Sequence, residues 1–359
     1  MSATPPPSRP APAQPRRVPV RYFVLLLDLL RSQGTDVAQL LRMAGVEAER
    51  LTQRGATLLP SEIEAFVSSA RQLTGRTDLG LEMGRLIKMN SHELLGFGML
   101  SCRNWGEAMQ LVARHYHLMT ETFSLRYRRI GGGVGEAVYT PLTAMPLETL
   151  RFYYEVLAVA HQNQVHLMLG GQEPAYDIYL SMPPPPHAQR YLALGPARFH
   201  FDAQALPGVR VLMGADLLDH ALAMADANVV REVDERCTAL GQRPPAGETG
   251  WGDYVRMLLR ETPGRLVTLE DLAQRIHVSP RTIDRYLKKE KLQFRSLAER
   301  VRFELACELL GEPGATVTQV ALQLGFSDSA NFSRSFRRVI GITPSEYQQR
   351  PRTAATPSA

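Results

Sequence analysis

Apolar residues recur at two different periods along this chain, and the places where the period changes mark its organisation. From residue 20 to about residue 98 the spacing is helical: Leu26, Leu29 and Leu30 form one stripe, and Ile63, Phe66, Val67 and Ala70 form another. Ser61, with Glu64 three residues on, predicts a capping box at the start of the second helix. Ala108, Leu111, Val112 and Tyr116 predict a third. The period then falls to two at Phe123, Leu125 and Tyr127, and three glycines followed by Ala137-Val138-Tyr139 complete a hairpin. A long helix from 147 to about 169 precedes a strand at 175–180, which Pro183 to Pro186 end, and short strands at 198–201 and 209–212. The sum is an α+β body over residues 20–240. Residues 241–250 are rich in glycine and proline and read as a linker, after which the strand pattern disappears.

Beyond the linker the chain repeats itself. Leu269, Leu272, Ala273 and Ile276 fall at i, i+3, i+4 and i+7, and Val317, Val320, Ala321 and Leu324 return the same pattern 48 positions later. A short break follows each, His277-Val278-Ser279 and Gly325-Phe326-Ser327, with Val278 and Phe326 placed to plug the space between helices. Gly325 takes positive φ without steric cost, which His277 does less comfortably. Second helices follow, striped by Ile283 and Leu287 in one copy and by Phe332, Phe336 and Val339 in the other. At 100° per residue, Arg281, Arg285 and Lys288 lie opposite the first stripe, and Arg334, Arg337 and Arg338 occupy the matching face of the second. Phe294, Leu297, Ala298, Val301, Leu305 and Leu309 mark a connecting helix of about 17 residues, roughly 25 Å long. The predicted architecture is therefore an α+β amino-terminal domain followed by an all-α domain, 251–350, holding two helix-turn-helix units (about 268–289 and 316–339) joined by a linker helix.

Charge follows this division. The net charge is +5, and residues 262–350 hold 14 Lys and Arg against 10 Asp and Glu, so about a quarter of the chain carries most of the excess. One cationic helix face is ordinarily just solvated surface. Two in tandem, each behind a helix-turn-helix break, suit major-groove reading, where arginine pairs bidentately with guanine and Lys or Arg holds phosphate.

These residues resemble the AraC/XylS family of transcription regulators over about 251–350. The resemblance rests on Leu324-Gly325-Phe326-Ser327-Asp328, Phe332-Ser333-Arg334-Ser335-Phe336-Arg337 and Gly341-Ile342-Thr343-Pro344-Ser345-Glu346-Tyr347, with Ser279 to Leu287 similar to the family's first recognition helix. It implies base-facing roles for Arg281, Arg285, Asn331 and Arg334, and phosphate or flanking roles for Ser279, Thr282, Lys288, Lys289, Ser327, Ser329, Arg337 and Arg338. Lys291 stands where relatives often have glycine, so a strained or shifted helix exit is expected there. Glu93 to Ser101 with Trp105-Gly106-Glu107-Ala108 resembles, more loosely, the effector-binding domain of the branch that includes regulators of ornithine use. The implied protein is a sequence-specific DNA-binding regulator controlled by a small-molecule effector, cytoplasmic, with operator DNA as partner and RNA polymerase and a second copy of the chain as further candidates. A ligand-independent architectural or dimerising DNA-binding protein is the alternative reading, and an enzyme with a DNA-binding appendage is a third.

No catalytic constellation favours the enzyme: no Ser-His-Asp or paired-carboxylate set can be assigned, and the glycine run from 131 lacks the Lys-Ser/Thr of a phosphate loop. No cofactor or metal is expected, since His115 and His117 project to different sides of a helix without a completing ligand. His161 and His166 read as surface or satisfied interior groups. Of the aromatic run Phe152-Tyr153-Tyr154, pocket lining is the sharper reading and plain core the commoner one. Cys102, Cys237 and Cys307 lack metal spacing and read as buried free thiols. Residues 1–19 and 351–359 read as disordered tails. The apolar run at 23–30 contains Asp28 and is far shorter than the ~20 residues of a membrane span.

Overall fold

In a computed structural model, which describes residues 16–53, 55–203, 205–241, 251–260, 267–276, 278–312 and 314–349, the chain forms two compact units, one on each side of the segment at 242–250. Residues 1–15, most of the expected linker (242–250), His277 and the tail at 351–359 lie outside the described residues.

In the first unit, β1 (Val18–Pro19) is followed by α1 (Arg21–Ser32), α2 (Val37–Ala44) and α3 (Ala48–Thr52), and then β2 (Thr57–Leu58), which pairs antiparallel with β1. This corrects the tail expected to run to residue 19: Val18 is buried and bonded across to Leu58, because Val18 and Val20 together cover apolar surface that the preceding Pro- and Arg-rich stretch cannot. Next come α4 (Pro60–Thr74), α5 (Leu79–Leu86), α6 (Glu93–Ser101) and α7 (Trp105–His115). The expected cap of α4 is also corrected. Pro60, lacking an N–H that the first turn would leave unpaired anyway, starts the helix earlier, and Glu62 Oε2, not Glu64, accepts from the Leu59 N–H at 2.7 Å.

A five-stranded sheet is built from β3 (Phe123–Arg129), β4 (Gly135–Pro141), β5 (Tyr176–Leu180), β6 (Ala197–Phe201) and β7 (Val209–Met213), in the order β3-β4-β7-β5-β6. β5 and β6 run parallel and the other neighbours antiparallel. The expected hairpin is β3–β4, in the register Phe123↔Pro141. Between β4 and β5 runs α8 (Leu147–Met168), 22 residues long and buried around most of its circumference, as a central core helix must be. α5 crosses it at very short range. A Cβ on Gly80 would stand 2.5 Å from the Phe152 carbonyl oxygen, and one on Gly84 2.7 Å from Val159 Cβ. α9 (Ala215–Leu218) and α10 (Ala227–Ala239) complete the unit.

The second unit is all helical: α11 (Trp251–Arg260), α12 (Leu269–Arg275), α13 (Pro280–Lys289), α14 (Phe294–Leu310), α15 (Val317–Gln323), α16 (Ser329–Ile340) and α17 (Pro344–Gln348). Helices α12–α13 and α15–α16 are the two expected helix-turn-helix pairs, and α14 is the expected 17-residue connector. The second pair closes on an aromatic chain in which Phe303, Phe332, Phe336 and Tyr347 meet edge to face or tilted at 5.5–6.0 Å. Val339, expected in this stripe, is 38% exposed; Ile340 packs on the core in its place, where the last turn of α16 meets the chain leading into α17. Among the described residues, no helix is long and apolar enough to cross a membrane.

Candidate nucleic-acid interface and effector cavity

Each recognition helix starts on a side-chain cap that orders its first turn. Ser279 accepts from the Thr282 N–H at the start of α13, and Asp328 accepts from the Asn331 N–H at the start of α16. The Asn331 N–H, with the Ser327 hydroxyl, holds the Asp328 carboxyl below the usual carboxylate range. α12 and α15 carry matching capping boxes, Thr268 with Asp271 and Thr316 with Gln319. Gly325 takes the expected left-handed conformation at φ +72°. Lys291 does so too, at φ +59°, and the Leu292 N–H reaches back to the Leu287 carbonyl at 2.8 Å to close α13.

Arg281, Arg285, Lys288 and Lys289 stand exposed on α13, and Asn331, Arg334, Arg337 and Arg338 stand exposed on α16. Local partners distinguish them. Lys288 pairs with Asp284 at 2.7 Å, Arg285 and Lys289 lie over the Tyr286 ring, and Arg338 pairs with Glu299 of α14 at 2.5 Å. Ser279 and Ser327 are exposed and Ser329 is half-buried. Thr282 departs from the expected outward role. It is buried, its hydroxyl 2.8 Å from Ser279 Oγ, because it belongs to the cap and not to the helix's outer face.

Two positioning groups had no legible signal in the sequence, since each is a charge on or at the end of a helix and reads as solvated surface. Glu290, just past α13, accepts from the Trp251 and Gly252 N–H groups at 2.7 and 2.9 Å, so the start of α11 is fastened to the end of the first recognition helix. The Trp251 ring stacks on Tyr286 at 5.2 Å and 10°. Arg302 of α14 donates from Nε and Nη2 to the Leu324 carbonyl at 2.9 and 2.6 Å and lies 3.7 Å over Phe326, which fixes the second turn. Burial lowers its pKa.

The first unit encloses a cavity of about 70 Å³ walled by α1, α5, α7, α8 and the hairpin β3–β4. Its lining contains no Asp, Glu, Lys or Arg. Most of its polar groups are paired with one another: Tyr22 Oη lies 3.0 Å from His92 Nδ1, Gln164 Nε2 2.8 Å from His92 Nε2, and Tyr139 Oη 3.0 Å from His161 Nδ1. Burial lowers His92 and His161 to about 3, so both are neutral near pH 7. His161 corrects the expectation of a surface or satisfied group. It is 3% exposed, its Nε2 has no hydrogen-bond partner, and Trp105 meets its ring edge-on at 5.5 Å. Tyr153 lines the same cavity, and its buried hydroxyl lies near Thr122 without making a hydrogen bond. Phe152 and Tyr154 are core. His166 pairs with Glu173 and His115 with Asp234, and among the described residues no group of three or more potential metal ligands comes together.

Comparison with known proteins agrees with this architecture. Residues 34–221 match the model of the arabinose-binding amino-terminal domain of the AraC transcription regulator, and residues 272–350 match a helix-turn-helix domain. The ornithine utilization regulator of Pseudomonas aeruginosa is 30% identical, with 93% of this chain and 97% of that protein covered. VirS of Mycobacterium tuberculosis, a helix-turn-helix transcriptional regulator, is 26% identical over 89% and 93%. Among solved structures, the transcriptional regulator CdpR from Pseudomonas aeruginosa is similar at 20% identity and a TM-score of 0.44, with 92% of this chain and 98% of that chain covered. The two sequence relatives are transcription regulators and not enzymes. With an effector-binding domain joined to a tandem helix-turn-helix domain, the chain is a DNA-binding transcription regulator that belongs to the AraC family.

Proposed function

We propose that α13 and α16 enter two successive major grooves of an operator, that Arg281, Arg285, Asn331 and Arg334 read base edges there, and that a small molecule held in the cavity of the first unit changes how well they do so. The observation that carries this reading is the repetition: two capped helices with similar exposed cationic faces, joined by one 17-residue helix of about 25 Å. Lys288, Lys289, Ser279, Ser327, Ser329 and Arg337 are assigned to phosphates and flanks. Arg338 is assigned to holding α16 against α14 through Glu299, with phosphate contact secondary. The regulator works in the cytoplasm, and a second copy of the chain and RNA polymerase are its further protein partners. For the effector to act, it must bind the DNA-competent and incompetent states with different affinity.

Arg334→Ala tests the base-reading assignment. It is expected to lose about 1–3 kcal/mol of operator affinity and to relax preference at one base pair, measured by binding to a set of single-base operator variants. An equal loss on every variant reduces Arg334 to a phosphate contact. Lys288→Ala is expected to weaken binding uniformly and to reduce the salt dependence of the affinity.

A further inference from the structure

The chemistry of the cavity says what kind of molecule it takes, a step that deepens the reading above and rests on its placing the effector in this cavity. An ion buried here would find no counter-charge, because the lining has no charged residue. Arg21, which lies over the Tyr22 ring at 5.0 Å, is already committed to the Ser91 carbonyl at 2.9 Å and to Glu93 at 3.4 Å. Burying an unpaired charge costs far more than an apolar site without a counter-charge returns. A polyol fails for a different reason. The lining hydroxyl, imidazole and amide groups of Tyr22, His92, Gln164 and Tyr139 are taken up by one another, so few remain to meet several ligand hydroxyls.

Two groups on the wall point the other way, the Tyr153 hydroxyl, which lies near Thr122, and the ring of His161. His161 Nε2 is buried and unpartnered, while its Nδ1 is held by Tyr139. A buried polar atom left without a partner carries a penalty that a native fold rarely tolerates unless something pairs with it. Apart from Tyr116, Tyr153 and Thr120 the remaining wall is apolar and includes four methionines, Met83, Met99, Met109 and Met119, whose unbranched side chains re-pack around a guest more readily than branched ones. At about 70 Å³ the cavity holds roughly half the volume of a dry engineered cavity of about 150 Å³ that takes benzene, so the guest is compact.

We propose that the first unit binds a compact, uncharged, largely apolar molecule, no larger than a single six-membered ring with the methionines displaced, whose one hydroxyl or carbonyl oxygen bonds to His161 Nε2. A ligand hydroxyl satisfies either tautomer of that imidazole, since it both donates and accepts.

A series of ring size held constant and chemistry varied tests this on the full chain: cyclohexanol, cyclohexane, cyclohexanecarboxylate, cyclohexylammonium and inositol. Binding is read by the rise in Tm with ligand concentration and by the emission of Trp105, which touches His161. Cyclohexanol is expected to raise Tm and to shift Trp105 emission, and the two charged members and inositol are expected to do neither. His161→Phe is expected to weaken cyclohexanol by about tenfold and to leave cyclohexane unchanged. Equal or tighter binding of the carboxylate, the ammonium or inositol overturns the ligand class, and so does no binding of cyclohexanol at all.

If His161→Phe does not fold, Met119→Trp decides, because Met119 is only partly buried at the rim and a larger ring there fills the space. Retention of the cyclohexanol shift in that variant overturns the cavity as the site. Footprinting of operator DNA with and without cyclohexanol separates the two claims. An unchanged footprint with a bound ligand defeats the coupling proposed above and leaves the ligand class standing, whereas a footprint that answers only to a charged metabolite does the reverse.

Discussion

Lys291 places an L side chain in the left-handed region, at φ +59°, while Gly325 at φ +72° occupies that region at no cost. The left-handed conformation costs a non-glycine residue about 1–2 kcal/mol, part of which glycine would return as extra entropy of the unfolded chain. Lys291→Gly is therefore expected to stabilise the second unit by about 0.5–1 kcal/mol in urea unfolding, with no loss of packing because the side chain is exposed. A loss of stability would mean that the lysine side chain makes up for its backbone. The strain was legible beforehand through the family resemblance, because Lys291 stands where relatives often have glycine. The partnerless nitrogen of His161 was not, since nothing in the spacing of residues 139 and 161 announces that one ring will hold the other and leave an atom over.

At the scale of elements, the tight crossing of α5 on α8 sets the position of Met83 and Ile87 on the cavity wall. Gly80→Ala brings a methyl group against the Phe152 carbonyl, and helix backbones cannot yield as a flexible side chain does. The expected cost is about 1–3 kcal/mol, read as a lower denaturation midpoint, together with weaker cyclohexanol binding as the wall moves. An unchanged midpoint would show that α5 slides freely. Glycine is also why the individual helices of residues 79–101 were hard to read: Gly80, Gly84, Gly96 and Gly98 lower helix propensity, yet here they permit close approach. The hairpin, α8 and the tandem helix pairs were legible because each keeps one period over its whole length or appears twice.

Across the whole molecule, two imidazoles kept neutral by burial link folding to pH. His92 and His161 titrate near 3 when folded and near 6.5 when unfolded, so between those values the unfolded chain binds more protons. Stability is complete above about pH 6.5 and falls as the pH is lowered toward 3, by about 2 kcal/mol per histidine between about pH 7 and about pH 5. Burial alone would raise the Asp78 carboxyl, but Arg76 and Arg190 hold it below its ordinary value, so it adds its own loss only at more acidic pH. Urea midpoints measured across this range are expected to fall with acid, and His161→Phe is expected to flatten the slope by about one proton; an unchanged slope would assign the dependence to other groups. The cavity that shelters these rings could not be seen in the sequence, since its wall is gathered from Val18, α1, α5, α7, the hairpin and α8, which lie up to 146 positions apart. The fastening of Trp251 and Gly252 to Glu290 has a mechanical corollary. A load arriving at Trp251 passes to α13 through Glu290 and to α14 through the Arg256–Glu304 and Arg260–Glu308 ion pairs, so it meets the first recognition helix directly and the second by way of α14. Of the two recognition helices, the first would then feel a change of tension at Trp251 one link sooner than the second, which is tied to α14 through Arg338 and, at the turn before it, through Arg302.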